Sequence, residues 1–307
     1  MNYDIIGDIH GQYEKLTGLL RQLGYRDTGG AWRHHGRMVV FIGDLIDRGP
    51  RQVDTVALVR RMVEAGTAYC LLGNHEFNAI AWATPDPDDS GEYLRRHGRD
   101  GNRHQHQAFL SEVEGIPLHD ELISWFKTLP LWLDLGGIRA VHACWNDDYM
   151  TQLSPCLGPR QTLTDDLILT GSREGHWSFL AIEALCKGLE IDLPKGISFH
   201  DKDGQVRRKM RIRWWEKDLS TFRRAALVDE AILDRIPDDP MPPDSRVAVY
   251  DGPPVFFGHY WRRGEPILFA PNIACVDYSA GKDGPLVAYR WEGEPVLSQK
   301  GFVYQAM

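Results

Sequence analysis

Three stretches decide the reading: Tyr3-Asp4-Ile5-Ile6-Gly7-Asp8-Ile9-His10-Gly11, Met38-Val39-Val40-Phe41-Ile42-Gly43-Asp44-Leu45-Ile46-Asp47-Arg48-Gly49, and Ala68-Tyr69-Cys70-Leu71-Leu72-Gly73-Asn74-His75-Glu76. Each opens as an apolar run of strand length and breaks at a glycine followed by carboxylate, amide or imidazole side chains. After the first, Tyr13, Leu16, Leu19, Leu20 and Leu23 recur at helical spacing, with Gly24 placed as terminator. After the second, Val53, Val56, Leu58, Val59 and Val63 do the same up to about Gly66. Strand, polar loop and helix alternating in this way argue for an α/β fold, a sheet with helices on its faces. In such sheets ligands sit outside the carboxyl ends of the strands, which is where the polar residues fall.

Further along, Pro85 to Asn102 reads as a loop, and His104 to Glu112 and Leu122 to Thr128 as helices. Leu131 to Leu135 and Ile138 to Val141 read as strands of a hairpin turning at Gly136-Gly137, the second delivering His142. From 147 to 254 the pattern changes. This stretch holds a helix over Phe179 to Gly188, a basic run from Arg207 to Arg213, Trp214-Trp215, and Pro237-Asp238-Asp239-Pro240-Met241-Pro242-Pro243. It reads as an insertion or cap within a single domain of residues 1–307. Strand-like runs then resume at Val255 to Phe257, which delivers Gly258-His259, and continue at Ile267 to Phe269, Ile273 to Val276 and Leu286 to Tyr289.

The formal charge of −8 argues against a general nucleic-acid coat, whose affinity rests on neutralising phosphates. It does not argue against a small phosphorylated ligand, because bound cations invert the local field. The five cysteines are odd in number with no CxxC spacing, which fits reduced thiols. The absence of an apolar run of about eighteen residues and of a signal-peptide layout after Met1 predicts a cytoplasmic protein with no membrane partner.

Asp8, His10, Asp44, Asn74, His142 and His259 are the candidate metal ligands, each following an apolar run at once or after one or two residues. A mixture of imidazole, carboxylate and amide oxygen suits Mn, Fe or Zn better than Ca. Asp44, in the middle of the set, can bridge two ions, and two ions roughly 3.5–4 Å apart can activate a shared water and neutralise a phosphoryl group. Asp-x-His alone says little. The ordered series Gly-Asp-x-His-Gly, Gly-Asp-x-x-Asp-Arg-Gly, Gly-Asn-His-Glu, His142 and Gly258-His259 is specific.

That series resembles the calcineurin-like metallophosphoesterases, in particular the branch of serine/threonine protein phosphatases and bacterial symmetrical dinucleoside tetraphosphatases. The likeness covers the first 80 residues closely and the last sixty or so more loosely. It implies a metallophosphoesterase-like β-sandwich flanked by helices. It also implies two divalent or trivalent ions, manganese first with iron or zinc as alternatives, one held by Asp8, His10 and Asp44 and the other by Asp44, Asn74, His142 and His259. The implied reaction is hydrolysis of a phosphomonoester or phosphoanhydride by in-line attack of a metal-bridging hydroxide. His75 would protonate the leaving oxygen, Asp47 would orient His75, and Arg48 would clamp the phosphate. A carboxylate partner raises an imidazole pKa, as a general acid needs, and the planar arginine fork suits phosphate.

Two departures from the family pattern concern the substrate. Ala143-Cys144-Trp145 follow His142 where the protein-phosphatase branch has two glycines, and Tyr278-Ser279 stand where the tetraphosphatases have Thr-Gly. Arg173, Arg207 and Arg211 are the candidates for a second phosphate-binding arginine. A phosphorylated small molecule or dinucleoside polyphosphate is expected ahead of a phosphoprotein. A non-catalytic metal-binding scaffold and a nuclease are the rival readings. His104 and His106, following the long loop, could reach the mouth of the site. The basic run reads as an amphipathic strand with a solvated face; the alternative is a surface that takes a polyanion or base on Trp214 or Trp215.

Overall fold

The first apolar run is β1 (Asn2–Ile6), with four of its five residues buried. The chain turns through Gly7–Gly11 into α1 (Tyr13–Gln22), which buries Leu16, Leu19 and Leu20. Gly24 ends this helix at φ +91°. Its N–H donates to Arg21 O (3.0 Å) while Tyr25 N–H donates to Leu20 O (2.9 Å), the pair of bonds that closes a helix on a left-handed residue. In the computed structural model, residues 1–99, 101–200, 206–242 and 248–305 are described. Pro243, which closes the proline-rich stretch, lies outside them.

The short hairpin β2 (Arg26–Thr28) and β3 (Ala31–Arg33) leads to β4 (Arg37–Phe41). There follow α2 (Gln52–Glu64), β5 (Ala68–Cys70) and α3 (Asn74–Ala83). Next come α4 (Asn102–Val113), α5 (Pro117–Phe126), the hairpin strands β6 (Trp132–Asp134) and β7 (Arg139–Val141), then α6 (Asp147–Leu153), α7 (Asp165–Gly171) and α8 (Trp177–Lys187).

A second compact unit spans 188–252, while 1–187 and 253–307 form the first. The second unit holds β8 (Glu190–Asp192), β9 (Phe199–His200), β10 (Val206–Arg207), β11 (Lys209–Arg211), α9 (Phe222–Ala225) and α10 (Glu230–Leu233). It is shorter than the 147–254 stretch read as an insertion. α6, α7 and α8 belong to the first unit, where Ala143 N–H donates to Leu185 O at 2.9 Å. β8 pairs antiparallel with β11, and Ile191, Met210, Ile212, Phe222, Ile236 and Met241 form the small core. The basic run alternates as expected: Met210 and Ile212 are buried, Lys209 is exposed, and Arg211 pairs with Glu190 at 3.4 Å. Trp214 and Trp215 are buried too, so neither ring offers a stacking surface.

The chain returns through β12 (Val255–Phe257), β13 (Leu268–Ala270), β14 (Ile273–Cys275), β15 (Val287–Trp291) and β16 (Phe302–Tyr304). Two five-stranded sheets result, in the orders β16-β15-β1-β4-β5 and β13-β14-β12-β7-β6. Ile5, Val40, Ile42 and Leu71 of one share a core with Ile138, Ala140, Phe256 and Ala274 of the other, and the rings of Phe256 and Tyr289 lie 5.1 Å apart across it. Burying each such side chain is worth about 1.5–3 kcal/mol, which holds the sheets face to face. The fold is the expected sandwich with helices. β1, β4 and β5 run parallel, as do β7, β12 and β14, so the strands that deliver the candidate residues present their carboxyl ends together. Among the described residues no helix is long and apolar enough to cross a membrane.

Candidate metal centre

β1 delivers Asp8 and His10; β4 delivers Asp44, Asp47 and Arg48. The first turn of α3 carries Asn74 and His75, and β7 and β12 deliver His142 and His259. All nine expected residues meet at the strand ends. Eight are buried, and Arg48 alone is exposed.

Asp44 stands between two sets of donors. The ligand atoms of His10, Asp44 and His75 lie within 4.8 Å of one another, and so do those of Asp44, His142 and His259. Asp44 Oδ2 is 3.7 Å from His10 Nε2 and 3.8 Å from His75 Nε2, while Oδ1 is 3.4 Å from His142 Nε2. Asn74 Oδ1 joins the second set, 3.2 Å from His142 Nε2 and 2.7 Å from His259 Nδ1. The Nδ1 atoms of His10 and His142 each face a backbone carbonyl, Ile46 O and Ile42 O, at 2.8 Å. Those bonds fix the rings and turn Nε2 inward, as metal-ligating imidazoles require. Asp8 Oδ2 accepts from His259 N–H at 3.0 Å. Asp8 is not in the first triad, where His75 stands instead.

Two buried atoms, Asp8 Oδ1 and His10 Nε2, have no hydrogen-bond partner among the described residues. Polar atoms that deep are normally satisfied, and cations held by this donor set would satisfy them. The residues fit a two-ion centre.

The backbone is bent to bring them there. His10 (φ +50°), Asp44 (+52°), Asp47 (+70°), Arg48 (+73°) and His259 (+71°) all occupy the left-handed region. Non-glycine residues there are uncommon, and such strain collects at functional sites. Two glycines permit the close approach. A Cβ on Gly73 would lie 2.3 Å from Asp44 Oδ1, and one on Gly258 would lie 2.0 Å from Asp8 Oδ1.

Burial and crowding set the ionisation. Burial, then Asp277 beside it, pushes the Asp8 carboxyl well above its ordinary range. Burial works against ionising Asp44 too, but His142 and His75 outweigh it and hold that carboxyl well below the ordinary value. His10 is lowered to about 3 by burial and by His75, so it is neutral and ready to donate its lone pair. Burial disfavours a charge on His142, yet Asp44 and Asp8 push it up to about 10. Without ions a proton on His142 offsets the carboxylates; metal binding would release it.

His75 Nδ1 is 2.5 Å from Asp47 Oδ2, the expected pairing. Burial lowers the pKa of this ring, but Asp44 and Asp47 more than compensate and leave it raised. The Arg48 guanidinium lies 4.1 Å over the ring of Trp261, which also stacks on His10 at 5.2 Å, and no carboxylate pairs with Arg48 among the described residues. Of the candidates for a second arginine, Arg173 pairs with Asp86 and Asp88, Arg211 pairs with Glu190, and Arg207 lies in the second unit.

Two further buried residues, Glu76 and Asp277, belong to the centre without having been singled out. Glu76 accepts from Gly73 N–H (3.0 Å) and Asp44 N–H (2.9 Å) on one oxygen and from Leu45 N–H (2.8 Å) on the other. It thereby ties the second and third motifs together, and burial followed by Asp44 pushes it up to about 7. Its signal was its place in the third turn position of α3, where a glutamate reaches back to the helix start. Asp277 accepts from Trp261 N–H (2.6 Å) and Ser279 N–H (2.9 Å). His106 reaches Asp47, while His104 is exposed.

Fold and centre together define a metallophosphoesterase architecture. The calcineurin-like phosphoesterase family pattern matches residues 1–218, and the chain belongs to that family, in which a binuclear centre is the rule. Among curated relatives, the asymmetrical bis(5'-nucleosyl)-tetraphosphatase PrpE of Oceanobacillus iheyensis is 31% identical over 144 residues, 47% of this chain and 55% of that protein. The symmetrical bis(5'-nucleosyl)-tetraphosphatase of Aromatoleum aromaticum is 34% identical over 138 residues, 45% of this chain and 42% of that protein. The chain thus spans about half the length of the curated relatives it matches. A crystal structure of a cold-active protein tyrosine phosphatase is similar in fold, with TM-score 0.50 and 18% identity, covering 95% of this chain and 77% of that one.

Proposed function

We propose that this protein is a metal-dependent phosphoesterase that hydrolyses a phosphoanhydride or phosphomonoester, with dinucleoside polyphosphates as the favoured substrates. The observation that carries the proposal is Asp44, shared by two sets of buried donors directly beside His75. Asp8, His10 and Asp44 would hold one ion, and Asp44, Asn74, His142 and His259 the other, with manganese favoured over iron or zinc. The ion pair supplies a water acidified toward neutral pH and screens phosphoryl charge.

The chain's own residues do the rest. Asp47 accepts from His75 Nδ1–H, so Nε2, 3.8 Å from Asp44 Oδ2, faces the donor sets and can carry the proton that the leaving oxygen takes. Asp44 and Asp47 beside the ring outweigh its burial and favour the protonated form. Arg48, solvent-facing and held by a ring instead of a carboxylate, would receive phosphate oxygens with its planar fork. The names of the matched relatives support the choice of substrate class. All five cysteines are unpaired thiols, in keeping with a cytoplasmic setting.

The test is a parallel assay of manganese-loaded and metal-free protein on a dinucleoside tetraphosphate, a phosphopeptide, an aryl phosphate and a chromogenic phosphodiester. Manganese-dependent turnover, fastest on the tetraphosphate, is expected. Preference for the phosphopeptide would shift the reading to a serine/threonine phosphatase, and preference for the diester to a nuclease. No turnover on any of them would leave a metal-binding scaffold.

A further inference from the structure

Asp47 serves two imidazoles. Its Oδ2 lies 2.5 Å from His75 Nδ1, and its two oxygens lie 2.9 and 3.0 Å from Nδ1 of His106. His106 is 2% exposed and comes from α4, outside every motif that carries the family likeness. Its ring packs near Trp82 and Phe109, with centroids 6.1 and 5.2 Å away. Nε2 has no partner among the described residues. A proton placed there would be a stranded buried donor, so the proton belongs on Nδ1, where Asp47 accepts it.

α4 is pinned to the two elements whose starts carry the dyad. Glu112 accepts from Gln52 N–H (2.7 Å) and Val53 N–H (2.9 Å) at the start of α2, just after Asp47 and Arg48. Arg95 donates to Gln105 Oε1 (2.6 Å) beside His106 and to Asn78 Oδ1 (3.2 Å) on α3, the helix that starts with His75. Asp47 N–H in turn donates to Gln52 Oε1 at 2.6 Å. A carboxylate held by one imidazole can swivel about its Cβ–Cγ bond. A second donor on the same oxygen, His106 Nδ1–H, holds the carboxylate and keeps Oδ2 aimed at His75.

We propose that His106 is a positioning residue: it fixes the Asp47 carboxylate so that His75 keeps its Nδ1–H on Asp47 and its Nε2 toward Asp44. This rests on the phosphoesterase reading above, in which His75 is the proton donor. It predicts an effect on chemistry that depends on the leaving group, not on metal or substrate binding.

The test uses the full chain, manganese-loaded, as His106→Leu and His106→Asn. Leucine removes the donor; asparagine can place an amide N–H near the position of Nδ1. His106→Leu should lower kcat on a substrate with a poor leaving group by about 10–100-fold, the usual cost of losing an outer partner of a functional group. A nitrophenyl phosphate should slow only a few-fold, and KM and metal content should stay within about two-fold. His106→Asn should recover most of the loss, and adding His106→Leu to His75→Asn should cost nothing more. Equal slowing of good and poor leaving groups, no rescue by asparagine, or additive losses would overturn the proposal. A wild-type protein inactive on every substrate would sink the phosphoesterase reading itself. The ring 15N shifts of His75, read in the diamagnetic zinc-loaded protein at a pH where the ring is neutral, decide the positioning claim in either case. The Nδ1–H tautomer should persist in the wild type and His106→Asn and be lost in His106→Leu; persistence in all three refutes it.

Discussion

In the second unit, Ile191, Met210, Ile212, Phe222 and Ile236 bury hydrocarbon against hydrocarbon, and Lys209 and Arg211 stay outward or at the margin. At the strand ends of the first unit the buried groups are Asp8, Asp44, Glu76 and Asp277, packed with His10, His75 and His142. The first kind of burial stabilises by itself, since each apolar side chain removed from water contributes about 1.5–3 kcal/mol. The second kind costs energy unless charge is paired, hydrogen-bonded or compensated by a cation. One region is built for stability, and the other spends stability to assemble a charge pattern.

Substitutions should separate the two. Asp44→Asn removes the carboxylate common to both donor sets. It should abolish turnover and lower the metal content measured by plasma mass spectrometry; unchanged stoichiometry would refute the bridging role. His75→Asn should retain metals and slow substrates with poor leaving groups by about 10²–10⁴-fold, the range for loss of a general acid. If good leaving groups slowed equally in a kcat series, His75 would not be the acid. Ile212→Ala, in the apolar region, should cost about 2–5 kcal/mol by urea melts, with metal content as the control. A comparable loss of bound metal would show that the two regions are energetically coupled.

The smallest expected effect is a pH slope. Burial would raise the Asp47 carboxyl, but hydrogen bonds from His106 and His75 outweigh it and bring it to about 2. A carboxylate lowered on folding adds stability above its unfolded pKa of about 3.9 and loses it as pH falls through the folded value. Between about pH 4 and pH 2 the protein should therefore lose about 2 kcal/mol from this group. Denaturant melts at pH 5 and 2.5 should show a correspondingly shallower fall for Asp47→Asn. Equal slopes would remove Asp47 from the account.

The same division explains what could be read from the chain in advance. β1, β4, β5, α1 and α2 were legible because apolar periodicity and glycine stops coincide there. The six ligand candidates were legible because each sits immediately beyond such a run. α3 was not, since nine of its ten residues are buried and a helix buried nearly all round has no polar stripe to show its period. α6 and α7 were absorbed into the presumed insertion, their seven residues each being too few to display a pattern. His106 and Asp277 carry no motif of their own; only packing of distant segments against Asp47 and Trp261 gives them a place. Glu76 was quoted within its motif but its work, three bonds to main-chain N–H groups, belongs to geometry that composition does not express.

At Gly73 and Gly258 the margin between polypeptide and carboxylate is narrower than one methyl group. A saturation library screened for activity should therefore return glycine alone at both codons, alanine included among the losers. Drift, recombination and engineering can reshape the exposed loops and the second unit, while these two positions remain closed to change for as long as Asp8 and Asp44 face inward.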